Sequence, residues 1–154
     1  MAAKKIFVAS SSEAIPYAKA FTAKCSNRKL INYVRWWEEF RAGRTLIEEL
    51  ERFKGDLHGA ILIMTPDCEA TLRRRKHFIP NLNVLFEFGY FFGAFKRENV
   101  AIVKYGDVYL PSDLDGYIPI YGGSEYDRKR KKKIAPPPTT RTEEEFFRWV
   151  ANLT

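Results

Sequence analysis

Residues 59–65 read GAILIMT, an apolar run closing on a threonine, and Pro66 and Asp67 follow directly. A continuous apolar segment bounded by turn residues predicts a strand buried on both faces, as in a parallel sheet covered by helices. The flanking segments agree. KKIFVAS at 4–10 is a short β-rich run that stops at three serines and predicts a first strand. SEAIPYAKAFTAKC at 12–25 has helical spacing, with Pro16 in the first turns, where proline is tolerated. KLINYVRWW at 29–37 predicts a second strand, and LIEELERF at 46–53 a helix with Thr45 as its N-cap. Beyond the central run, NVAIVKYG at 99–106 predicts another central strand. YIPIY at 117–121 predicts a short edge strand, since Pro119 forbids a central one. TEEEFFRWVANL at 142–153 predicts a last helix opened by a capping box. No internal repeat is visible.

Strands alternating with helices predict an α/β, flavodoxin-like fold, a central parallel β-sheet with helices on both faces. Ligands in such folds sit beyond the carboxyl ends of the strands. Three polar strand ends therefore matter: SSS at 10–12, WWEEF at 36–40 and TPD at 65–67.

At 154 residues, 45% of them hydrophobic and 15% aromatic, the chain is expected to form a single domain over 1–154. Its core is placed at about 4–121, with a basic and proline-rich segment at 128–140 and a helix at 142–153. No run is long enough to span a membrane, no signal-peptide segment opens the chain, and two cysteines make no disulfide framework. A cytoplasmic location is the expectation. The net charge of +7 is concentrated: RRRK at 73–76 and RKRKKK at 128–133 hold ten of the 26 basic residues, leaving 16 against 19 acidic ones. With no aromatic residue inside either run, a base-stacking surface for nucleic acid is not indicated, and two solvated basic loops are the plainer reading. His58, His77, Cys25 and Cys68 lack metal-ligand spacing, so no metal is expected. No serine sits in a nucleophile elbow, and no GxGxxG follows the first strand, which argues against NAD held as a hydride-transfer cofactor.

One stretch carries chemistry. NVLFEFGYFFGAF at 83–95 contains a single charge, Glu87. Read as a helix it has Asn83 as N-cap and Glu87 at the fourth position, near the positive end of the macrodipole. Being apolar nearly all round, it should be buried, with Gly89 and Gly93 on one face admitting another backbone closely. Spacing alone leaves Glu87 equally a structural acid or a catalytic one.

KKIFVASSSEA, WWEEFRAGRTLIEELE, GAILIMTPD and PNLNVLFEFGYFFG occur in an order that resembles the predicted nucleotide-binding TIR effector domains of bacterial antiphage systems, from about Lys4 to Leu114 and including PSDL at 111–114. The resemblance implies a TIR fold and an NAD+ glycohydrolase. Such an enzyme cleaves NAD+ to nicotinamide and a linear or cyclic ADP-ribose, with the glutamate matching Glu87 as catalytic residue, NAD+ as substrate and no cofactor. It implies activation by homo-oligomeric assembly, through a loop that here contains Gly43, Arg44 and Thr45, and a fused or associated cyclic-nucleotide sensor. With the last helix expected to run to the final residues, a segment of a longer protein is the expectation, and a separate sensor subunit the alternative. One departure is visible: relatives carry Arg-Asp where this chain has Asn81-Leu82. A non-catalytic TIR adaptor and a related enzyme of nucleoside N-glycosidic bonds are the alternatives.

One carboxylate suffices for this reaction. Nicotinamide leaves a pyridinium as a neutral molecule and needs no acid, unlike the alkoxide of an ordinary glycoside. What remains is stabilising the oxocarbenium-like sugar, which a fixed anion in a dry pocket can do. Around it, Ser10 and Ser11 could donate to phosphate or ribose, or simply cap a helix. Trp37 and Phe40 could stack on a base or pack beneath the loop. Thr65 and Asp67 could line the pocket or form a turn, and Asn83 could both cap the helix and orient substrate.

Overall fold

The computed structural model describes residues 2–114, 117–126 and 135–154. The basic run at 128–133 lies outside the described residues. Strand β1 (Lys4–Ala9) is followed by α1 (Ile15–Lys24), β2 (Ile31–Arg35), the single turn α2 (Trp36–Glu39), α3 (Leu46–Lys54) and β3 (Gly59–Met64). A hairpin of β4 (Cys68–Leu72) and β5 (Arg75–Ile79) leads into α4 (Leu82–Ala94), and then come β6 (Val100–Tyr105), β7 (Ile120–Gly123) and α5 (Thr140–Ala151).

The main sheet runs β2-β1-β3-β6-β7 with every neighbour parallel, the flavodoxin-like order expected from the sequence. Every residue of β3 is buried. Alternation along the strands sorts side chains into two layers. Ile6, Val8, Ile61, Ile63, Ala101 and Val103 pack with Phe21 of α1 and Phe146 and Val150 of α5. Phe7, Ala9, Ala60, Leu62, Met64 and Ile102 pack with Leu50 and Phe53 of α3 and with Val84, Phe88 and Phe91 of α4.

Several boundaries differ from expectation. The second strand ends at Arg35, because Trp36–Glu39 turns helical. The edge strand forms after Pro119, at Ile120–Gly123. The last helix is capped three residues earlier than expected, by a reciprocal Thr139–Thr142 capping box. That frees Glu145 to accept from Arg141 Nε at 2.8 Å and from the Tyr121 N–H at 2.7 Å. RRRK at 73–76 is the turn and start of a hairpin rather than a loop.

Helix α4 differs most. Its N-cap is Asn81, whose side chain accepts from the Asn83 N–H at 2.9 Å. Asn83 is therefore inside the helix and Glu87 is its sixth residue, a turn too far in for the macrodipole to act strongly. Only one side of α4 is buried. Leu82 and Phe86 are exposed, and a Cβ added at Gly89 or Gly93 would meet nothing within 4 Å. No backbone approaches those glycines among the described residues.

Gly59, by contrast, is required. A Cβ there would lie 2.6 Å from the Asn99 carbonyl oxygen and 2.9 Å from Leu153 Cδ2. Gly59→Ala is expected to lower stability by about 1–3 kcal/mol through overpacking against backbone, read as a drop in denaturant midpoint at unchanged slope.

Candidate functional site

The strand order makes a crevice at the carboxyl ends of β1 and β3, because the chain leaves β1 toward β2 on one side and leaves β3 toward β6 on the other. Three stretches meet there: Ser10–Ser12 after β1, Trp36 and Phe40 around α2, and the start of α4. With Leu46 they line a cleft of about 160 Å³ that contains Asn81, Asn83 and Glu87.

Glu87 is 6% exposed and its Oε2 has no hydrogen-bond partner. Burial pushes its carboxyl up from 4.5 to about 8, with no compensating donor. That shift favours the protonated acid at neutral pH.

Ser10 and Ser11 are buried. Ser10 Oγ accepts from Trp36 Nε1 at 3.0 Å and donates to the Ser11 carbonyl, also at 3.0 Å. Ser11 Oγ accepts from the Ala14 N–H at 3.1 Å, so that hydroxyl serves the turn into α1. Phe40 stacks on Phe7, ring centroids 5.8 Å apart, as one wall of the cleft.

Three expected site residues lie elsewhere. Trp37 turns to the opposite layer, beside α1 and α5, and Trp36 takes the place in the cleft. Successive helical residues point about 100° apart, which sends the two indoles to different layers. Thr65 and Asp67 form a turn instead: Thr65 Oγ1 donates to Asp67 Oδ2 at 2.7 Å, and Asp67 Oδ1 accepts from Tyr126. Asn81 and Leu46 escaped sequence reasoning as site residues, and Ser12 and Trp36 entered it only as members of the strand ends at 10–12 and 36–40. Asn81 was detectable, since an asparagine after Pro80 suits a helix cap as well as Asn83 does.

The loop with Gly43, Arg44 and Thr45 is exposed beside this rim. Gly43 has φ +76°, a left-handed conformation that favours glycine. Thr45 and Glu48 make a reciprocal capping box at the start of α3, and Arg44 pairs with Glu48 at 3.6 Å. A second buried glutamate anchors the loop. Glu49 accepts from Arg41 Nε at 2.9 Å, the Arg41 N–H at 3.2 Å and Arg52 Nη2 at 2.6 Å. Burial opposes its ionisation, but the hydrogen bonds from Arg52 and Arg41 outweigh that and hold the carboxyl below its ordinary range.

The family profile described as CAP12/Pycsar effector protein, TIR domain, matches residues 5–122. The Pycsar effector protein PaPycTIR of Pseudomonas aeruginosa is 35% identical over 119 residues, which is 75% of this chain and 38% of that protein. CD-NTase-associated protein 12 of Sphingobacterium faecium is 30% identical over 113 residues, 73% of this chain and 34% of that protein. Protein tirC of Dictyostelium discoideum is 37% identical over 94 residues, 53% of this chain and 47% of that protein. The chain thus spans less than half the length of each of these relatives.

The Glu87 proton makes stability depend on pH. Between 4.5 and about 8 the folded protein keeps a proton that the unfolded chain has released, so stability falls as pH rises through that window. Glu87→Gln removes the titration. Its stability relative to the parent should rise from pH 4 to pH 9 by on the order of 4 kcal/mol, measured by denaturant unfolding at each pH; a constant difference would contradict the assignment.

Proposed function

The chain belongs to the TIR-domain family of CAP12/Pycsar effectors, and on that premise we propose that it is an NAD+ glycohydrolase acting in antiphage defence. The observation that carries the reading is Glu87, a buried carboxyl with an unpartnered oxygen in a cleft walled by aromatic rings and hydroxyls.

In this reading the nicotinamide riboside end of NAD+ enters the cleft, and its pyridinium charge favours loss of the Glu87 proton to solvent water. The N-glycosidic bond breaks with both electrons going to the nicotinamide nitrogen, and nicotinamide departs neutral. The Glu87 carboxylate stabilises the cation left on the ribose and accepts from its hydroxyls. Water adds to the anomeric carbon, loses a proton and gives ADP-ribose; attack by a group of the same molecule gives a cyclic product instead. Phe40 and Trp36 offer faces for the ring, while Asn83 and Ser12 supply polar groups at the mouth and Ser10 braces Trp36 from within.

Size supports an assembly requirement. Ligand sites are usually about 300–1,000 Å³, whereas this cleft is about 160 Å³ and holds only part of a dinucleotide. The remainder is completed by a second copy, through the Gly43–Thr45 loop, so that self-association switches the enzyme on. The names of the relatives, one a Pycsar effector and one CD-NTase-associated, support coupling to a cyclic-nucleotide sensor. Among the described residues no helix is long and apolar enough to cross a membrane.

Incubating concentrated protein with NAD+ should release nicotinamide, with turnover per subunit rising with protein concentration. Glu87→Gln should lower the rate by at least about a hundredfold, the scale of losing an electrostatic stabiliser, with the fold retained. No release at any concentration would leave the adaptor reading. Because the free carboxyl must lose its proton, kcat/KM should climb with pH and level off above about 8. A profile flat from pH 6 to 9 would remove Glu87 from the chemistry.

A further inference from the structure

The β4–β5 hairpin stands between β3 and α4, and its turn is Arg73–Arg74. Both residues are left-handed, with φ of 49° and 67°. A two-residue hairpin loop of this shape is ordinarily Asn-Gly, because the left-handed region crowds a Cβ. Two arginines make the turn less stable than the common sequence would. Backbone strain of this kind concentrates where side chains serve a ligand.

The pleat then sorts the charges. Leu72 pairs with Arg75, Thr71 with Lys76 and Ala70 with His77, which puts Arg75 and His77 on one face and Lys76 on the other. Lys76 is neutralised by Glu69 at 3.2 Å. Among the described residues no carboxylate pairs with Arg73, Arg74 or Arg75. The arginines near the Glu87 cleft behave differently: Arg35, Arg41 and Arg44 are all engaged by glutamates. Facing Arg75 and His77 is Tyr109. Its N–H donates to the Phe78 carbonyl at 2.7 Å and its ring lies 4.3 Å from the His77 imidazole. Arg73, Arg75, His77, Tyr109 and Ser112 line an open groove of about 720 Å³ that shares no lining residue with the Glu87 cleft.

We infer that this groove binds the phosphate groups of a nucleotide, with Arg73 and Arg75 on the phosphate oxygens and Tyr109, beside His77, presenting a face to the base. Guanidinium groups match phosphate oxygens in paired geometry. The volume falls in the range of small-ligand sites. A single aromatic platform serves one base, whereas a nucleic-acid strand would call for successive ones. The assignment does not depend on the reaction proposed at Glu87.

The test is calorimetric titration of the full chain, at low salt, with ADP and with inorganic pyrophosphate. Arg73→Asn/Arg74→Gly installs the favoured turn, so its melting temperature should stay level or rise while ADP affinity falls at least tenfold. Arg75→Ser should lose a similar factor. Lys76→Ser, on the salt-bridged face, should change affinity less than twofold. Tyr109→Ala should weaken ADP but leave pyrophosphate unaltered. The inference is overturned if the arginine variants bind ADP like the parent, if Lys76→Ser loses as much as they do, or if Tyr109→Ala weakens both ligands equally. It is equally overturned if a single-stranded oligonucleotide binds where ADP does not.

Discussion

Burial of Gly59–Met64 on both faces is the constraint from which the rest of this fold follows. A strand with no solvent side needs strands to its left and right and helices above and below. β1 and β6 supply the first, and α1 with α5, then α3 with α4, supply the second. At Gly59 the absence of a side chain lets Asn99 and Leu153 close against the sheet. Asn99 in turn exchanges hydrogen bonds with Thr154, at 3.2 and 3.3 Å, tying the end of α5 to the start of β6. The polar ends of β1 and β2 and the start of α4 are brought to one rim by that packing.

Two buried glutamates show how much their partners matter. Glu49 and Glu87 are almost equally withdrawn from water, at 1% and 6% exposure. Glu49 is met by two guanidinium groups and a backbone N–H, so it ionises and fixes the loop after α2. At Glu87 no such donor is present, and the acid holds its proton. Equal burial thus yields an ionised structural anchor in one case and an unpartnered acid with a raised pKa in the other. The difference lies in the donors alone.

The layered architecture was readable in the sequence because it rests on local signals: the apolar run at 59–64, the serines that stop β1, and Thr45 ahead of a helical stripe. Glu87 stood out as the one charge in its stretch. What could not be read depends on direction in space. Trp36 and Trp37 are adjacent and chemically alike, and only the helical turn at 36–39 decides which layer each joins. Asn81 and Asn83 both suit a cap, and only the chain's exit from the hairpin selects the first. Thr65 and Asp67 follow β3 toward the same rim, yet bond to each other and to Tyr126 outside the cleft lining. The exposed side of α4 was missed because its residues are apolar, and composition cannot tell an interior apolar face from a bare one.

That bare side has a mechanical meaning. Leu82, Phe86, Gly89 and Gly93 look outward, so α4 is clamped along a single flank, by Val84, Phe88 and Phe91 seated on the sheet. Nothing among the described residues presses back from the glycine side. The depth to which Glu87 is sunk is therefore set by how the hydrophobic side chains of that one flank, Leu85 and Phe92 among them, are seated, and a slide of the helix across the sheet would carry the acid with it like a key in a lock with one wall removed.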